Sequence, residues 1–506
     1  MDVSDEDGGW LDRALTPTAD PAWVLSETGY DPTREAGIEA RFAVGNGFLG
    51  VRGSRSVSRG PSWTTWQHSL SWASWPRTYV AGLFDTPNTE PPVPALVPGP
   101  DWLRVRLWID DELLLLRSGK LLEHRRHLDM RRGLLVTDWR QRVASGREVR
   151  VRTLRFVSQA DRAVGGQTLW LDTGSTPAAV RLEASFEAMG SALEHVASEP
   201  GLELWRTAQS GKALAAAGWA ELTTDGISLP AEMPEPLRWC WAWTSEPGRP
   251  ALLARLAAFA RTEGPGGDPR GVARAALDRA RSIGWKETLR AHERAWENRW
   301  RDSDVVIDGD EAAQQAVRFA IYHMIAAANP EDERVSVGAR ALTGDAYLGH
   351  VFWDTEIYLL PFYTLTWPEA ARAMLMYRWH TIGGARGKAA RLGCRGAAWA
   401  WESADTGEET TPERVIDPNG RVIDVLCGLQ EWHITADIAY AVSRYWELTG
   451  DDAFLLQAGA EMLLEAARFW ASCARLEDDG RYHIRGVIGP DEYHEGINDN
   501  AYTNEM

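Results

Sequence analysis

Between about residue 36 and residue 245, apolar and polar residues alternate in short runs; after about residue 250 that period of two gives way to a helical one. A strand buries alternate residues and a helix buries a stripe, so one segment cannot satisfy both patterns. The first part of the chain must therefore build sheets and the second part helices. Residues 103–109 and 149–156 alternate strictly. Residues 134–139, 167–171, 179–186 and 238–243 are further short runs bounded by turn residues. Residues 38–51 read as strand, turn and strand around Gly45-Asn46-Gly47, a strong hairpin signal. So many short strands predict a large antiparallel β-sandwich over residues 1–245.

Residues 252–262 and 272–301 read as helices separated by the Gly- and Pro-rich stretch 264–271, giving a helical linker over 246–308. Beyond it, 311–328, 368–380, 386–392, 429–449 and 453–475 are predicted helices. Asp310, Pro368 and Asp451 stand at plausible starts and Gly450 at a plausible stop. The helical part, 309–506, carries polar, aromatic-rich loops, the usual place for chemistry on a rigid scaffold.

Composition excludes some partners. With 54 Lys and Arg against 72 Asp and Glu, the net charge is −18. A nucleic acid or an anionic membrane needs a basic face, so neither is expected as a partner. The acidic N-terminus has no signal-peptide pattern, and no apolar run is long enough to span a bilayer. The four cysteines (Cys240, Cys394, Cys427 and Cys473) are scattered without a CxxC, so reduced thiols in the cytoplasm are the expectation. The 26 Trp exceed the 11 Phe and 12 Tyr. A Trp ring suits the C–H face of a sugar, although Trp is also a common core residue.

Three loops carry candidate chemistry. In Gly349-His350-Val351-Phe352-Trp353-Asp354-Thr355-Glu356, Trp353 fits a sugar face and Asp354 fits either a hydroxyl-binding role or a helix cap. Trp401 and Glu402 repeat the pairing of aromatic and carboxylate, within a loop that reads equally as a solvated acidic segment. In Gly489-Pro490-Asp491-Glu492-Tyr493-His494-Glu495, three carboxylates lie within five residues. Such crowding is expected to raise at least one carboxyl toward neutral pH, as a general acid requires. Residue types alone do not choose among them. His494-Glu495 begins like a zinc motif, but no second His follows at the needed spacing. His433 reads as a hydrogen-bonded core or loop histidine.

These segments resemble glycoside hydrolase family 65, the maltose, trehalose, kojibiose and nigerose phosphorylases and their hydrolytic relatives. The resemblance runs from residues 41–50, 80–84 and 128–130 through 342–347, 349–356, 377–378, 401–403 and 431–434 to 489–495 and 500–504. It implies an N-terminal β-sandwich, a helical linker and the first part of an (α/α)6 barrel. It also picks Glu492 as the general acid and places Trp353 and Asp354 at the non-reducing glucose. Trp401 and Glu402 follow as further substrate-binding residues, although Ala400 stands where the family carries Pro.

The reaction implied is inverting phosphorolysis. An α-glucosidic disaccharide reacts with inorganic phosphate to give β-glucose 1-phosphate and a free sugar, with no cofactor and no metal. Phosphate is the co-substrate, and a homodimer is the assembly common in the family. Hydrolysis of the same α-glucosides and an inactive sugar-binding fragment are the alternatives. About five helical segments follow residue 309, where an (α/α)6 barrel has twelve. The remaining helices and the phosphate site are expected beyond Met506, and uncovered apolar helix faces are expected here.

Overall fold

The computed structural model describes residues 9–55, 57, 78–87, 92–116, 119–188, 192–416 and 419–506. Two compact units emerge. One holds the chain up to Leu83, Val97–Ala327 and Leu342–Gly344; the other holds Phe84–Leu96, Ala328–Ala341 and Asp345–Met506.

The first unit is an antiparallel β-sandwich. Its larger sheet runs Val24–Thr28, Lys120–Asp129, Leu134–Arg142, Glu148–Val157, Val164–Asp172, Ala251–Pro265, Lys212–Thr224, Leu202–Thr207 and Leu193–Glu199 in spatial order. A smaller sheet runs Glu232–Glu235, Arg238–Ser245, Ala178–Glu187, Asp101–Ile109 and Glu112–Leu113. All six alternating runs outside the 38–51 segment become strands. The two sheets meet through buried polar anchors as well as apolar contact. Gln167 donates to the Leu103 carbonyl, and Arg255 donates to the Arg104 and Ser185 carbonyls. Gly165 lets them approach closely: a Cβ there would lie 2.7 Å from the Trp102 ring.

Two readings of this region are corrected. Residues 252–262 are not helical but lie within strand Ala251–Pro265. Their Ala and Leu content favours a helix locally. Tertiary burial overrides it, because both faces of the strand are covered. Leu252, Ala254, Leu256, Ala258 and Ala260 join a cluster with Ala273, Ala276 and Leu277 of helix Arg270–Ile283, while Arg255 faces the second sheet. The helices Arg270–Ile283 and Trp285–Ser303 thus pack within the first unit, with Trp285, Trp296 and Trp300 all buried. The second correction concerns 38–51. Its turn and strands Val44–Gly45 and Leu49–Val51 form as expected, but Ile38 belongs to helix Glu35–Arg41.

The second unit is helical. Leu360–Thr366, Pro368–His380, Ile382–Arg391, Ile434–Thr449 and Ala460–Cys473 are its main α-helices among the described residues. Pro368 opens its helix. Asp451 accepts a hydrogen bond from the Phe454 amide, and Gly450, at φ 67°, ends the preceding helix in the left-handed conformation. Leu365 and Leu464 on these helices, and Leu456 in the turn just before Ala460–Cys473, are largely exposed, at 72, 65 and 82%. Cys394 and Cys473 are disulfide-bonded with Cα atoms 5.8 Å apart, so the expectation of four reduced thiols is overturned. Their separation of 79 residues hides the pairing in the sequence. The turn after Ile382–Arg391 docks on the end of Ala460–Cys473, where the Arg395 amide donates to Ser472 and the Ala397 amide to the Glu465 carbonyl. No described helix is long and apolar enough to cross a membrane.

Candidate active site

All five candidate residues lie in the helical unit, on three loops. The first two loops are joined at Val351 and Ser403, whose amides and carbonyls pair at 2.9 and 3.0 Å. Beneath them Arg378 is fully buried. It binds Glu356 through two 2.8 Å hydrogen bonds and also donates to the Phe352 carbonyl and the Ser403 hydroxyl. The Tyr377 hydroxyl reaches Ser403 as well. This ion pair fixes the backbone from which Trp353 and Asp354 project.

Trp353 is half-buried and Asp354 is exposed. Asp354 occupies a helix-cap position, yet its side chain makes no capping bond. The Trp353 ring meets the His433 ring edge-on at 4.9 Å, with Tyr502 at 6.3 Å.

Trp401 and Glu402 are buried, which differs from a solvated acidic loop. The Trp401 ring packs edge-to-face on Phe352 at 5.1 Å. Their amides donate to Glu409, which the Lys388 ammonium holds at 2.6 Å. Burial alone would raise the Glu409 carboxyl, but Lys388 overcomes it and the carboxyl sits below its usual range. Glu402 Oε2 lies 2.6 Å from His350 Nδ1, and His350 Nε2 lies 2.6 Å from the Pro94 carbonyl. A carbonyl only accepts, so Nε2 carries a proton, and the short contact to Glu402 needs a second one. Burial raises the Glu402 carboxyl, partly offset by His350.

The third loop docks through the segment around Gln430. The Ile488 amide donates to the Gln430 carbonyl, and the Gly496 amide donates to its side chain, each at 2.9 Å. Glu492 is exposed, but it loses part of its hydration. That loss is the first cause raising its carboxyl; the charges of Glu431, Asp354, Glu402 and Asp491 follow in that order. Crowding within the 491–495 run is therefore the least of the causes. Asp491 is engaged with His494 at 2.8 Å. The decisive charges come from other loops. His433 is buried and hydrogen-bonded at both nitrogens, to Asp437 and Glu431.

Comparison with known proteins gives the family. Residues 25–299 match the model of the glycosyl hydrolase family 65 N-terminal domain, and residues 318–506 match its central catalytic domain. The chain belongs to glycoside hydrolase family 65. Kojibiose phosphorylase of Halothermothrix orenii is 35% identical over 96% of this chain and 64% of its own length. The enzyme of that name from Caldanaerobacter subterraneus is 33% identical, over 96% and 65%. The chain thus spans about two thirds of the length of these family 65 relatives. A solved human-microbiome structure named for kojibiose phosphorylase shares the fold, with a TM-score of 0.83 at 22% identity over 96% of this chain and 64% of that one.

Proposed function

We propose that this chain carries the glucose-binding and acid-donating part of an inverting α-glucoside phosphorylase. The observation that carries the reading is Glu492. It is a surface carboxyl with a raised proton affinity, faced by carboxylates from two other loops and tied to the segment that holds Trp353. A group of that kind keeps its proton to higher pH than an ordinary carboxyl and can release it to a leaving oxygen.

In this reading Trp353 covers a glucose face and Asp354 accepts from its hydroxyls. Glu402 accepts or donates through the proton it shares with His350, and Trp401 backs the same subsite. The C1–O bond breaks and its electron pair stays with the glycosidic oxygen, which takes the proton of Glu492. An oxygen of inorganic phosphate bonds to C1 from the opposite face, inverting it, and the proton released by phosphate restores Glu492. The products are β-glucose 1-phosphate and a free sugar. No cofactor enters the scheme.

Kojibiose is the first substrate to test, because the similar curated proteins carry that name. Incubation with phosphate and kojibiose, maltose, trehalose or nigerose should yield β-glucose 1-phosphate from at least one, read by proton NMR of the anomeric signal. Its absence with all four would sink the reading. Glucose released at the same rate without phosphate would show a hydrolase instead.

A further inference from the structure

Glu431 is fully buried, yet only one of its carboxylate oxygens is committed. Oε1 lies 3.2 Å from His433 Nε2. Oε2 is buried with no hydrogen-bond partner. A buried carboxylate oxygen without a donor is costly, and such orphans collect where function needs them. Its surroundings hold it in place. His433 Nδ1 lies 2.6 Å from Asp437 Oδ2, and the other oxygen of Asp437 accepts from the Tyr502 hydroxyl at 2.9 Å. Both nitrogens of His433 thus point at carboxylates, which accept only, so the ring is an imidazolium. Its proton affinity is raised accordingly: burial opposes the charge, and the hydrogen bonds to Asp437 and Glu431 overcome it. One positive ring between two carboxylates leaves the cluster with a net negative charge.

That charge is next to the acid. Gln430, the residue before Glu431, accepts the two amides that dock the Glu492 loop. The Cys427 thiol, one turn earlier, is held protonated by burial, by the charges of Glu431 and Glu492, and by a hydrogen bond to Glu431. The same cluster supports the sugar platform, because the His433 ring sits between the edges of Trp353 and Tyr502 at 4.9 and 5.1 Å.

We propose that Glu431 is a positioning residue whose negative charge, held by the His433–Asp437–Tyr502 chain, helps keep the proton on Glu492. This rests on the reading of Glu492 as the acid. The groups facing Glu492 are Glu431 and Cys427 on the docking segment, Asp354 and Glu402 on the other two loops, and Asp491 on its own. Of the carboxylates, Glu431 is the strongest in its effect, and its Oε2 is buried without a hydrogen-bond partner.

The test reads Glu492 itself. Protein labelled with 13C at the glutamate side-chain carboxyl is titrated by NMR, with the Glu492 signal identified by its loss in Glu492→Gln. In Glu431→Gln the Glu492 midpoint should fall by about one pH unit, because a like charge has been removed. An unmoved midpoint in a folded variant overturns the proposal. Should Glu431→Gln not fold, His433→Gln gives the reciprocal reading: loss of the imidazolium should raise the midpoint, and an unmoved or lowered one overturns the proposal. The titration needs no turnover. Failure to make glucose 1-phosphate would therefore sink the proposed reaction and leave this inference standing, and the reverse also holds.

Discussion

Glu492 is held by forces that favour its neutral form, and this has two separable consequences. A general acid works while it keeps its proton. Turnover should therefore fall as pH rises through the raised value, and Glu492→Gln should lose roughly 10²–10⁴ in kcat while sugar binding persists. Stability should move in the same direction with pH. A carboxyl whose affinity is raised on folding contributes its stability fully below the unfolded-state value, and that contribution is lost as pH rises through the folded one. Burial and the charges of Glu431, Asp354 and Glu402 cause the rise here. Glu492→Gln carries no charge, so it should melt above the parent by no more than a few degrees at pH 8 and equal it near pH 4. Thermal melts at the two pH values check it; a variant less stable at pH 8 would contradict the electrostatic picture. His350 offers a second residue-scale outcome. It is fully buried between Glu402 and the Pro94 carbonyl, so His350→Ala leaves both without their donor and opens a cavity. The expected loss is about 3 kcal/mol in urea unfolding, together with a weaker affinity for glucose in calorimetry.

At the scale of elements, the ion pair under the first two loops is the most sensitive joint. Arg378 and Glu356 are both buried, and Arg378 also holds the Phe352 carbonyl and Ser403. Arg378→Met should cost about 3–5 kcal/mol, because Glu356 is left as an uncompensated buried charge. The double variant Arg378→Met with Glu356→Leu should recover much of that. Urea unfolding of the three proteins checks the order. Legibility in the sequence divides along physical lines. The alternating strands were readable because each has one apolar face, as in Asp101–Ile109. Ala251–Pro265 was not, because a strand covered on both sides by small residues loses its alternation and keeps only the helical bias of Ala and Leu. Of the candidate site, Trp353, Asp354, Trp401, Glu402 and Glu492 were visible as residue types on polar loops. Their electrostatic coupling was not, since Glu431 and Glu402 act on Glu492 from positions far along the chain. Glu431 and His433 stood out only as neighbours in sequence. Asp437, one helical turn on, completes the cluster and would have been found by asking what the i,i+4 partner of a buried histidine is.

At the scale of the whole molecule, the two units differ in how their chains are tied. The sandwich unit holds Cys240, a free thiol, and no described disulfide, whereas the helical unit contains the Cys394–Cys473 bridge. That bridge closes a loop of 79 residues, which encloses Trp401, Glu402, Glu431 and His433. By chain entropy alone such a closure is worth on the order of 4 kcal/mol. Two units with their own cores need not unfold together. Calorimetry should therefore resolve two transitions, and a reducing agent should lower only one of them. The assignment can be made without separating the units. Cys394→Ser should place the same transition where reduction places it, and adding the reductant to that variant should change nothing further. Exposed Leu365, Leu456 and Leu464 belong to this same unit, so the reduced protein should also associate more readily once that transition begins. Light scattering during the melt follows this. If reduction lowered both transitions equally, or neither, the bridge would not be a constraint on the unit that carries the site.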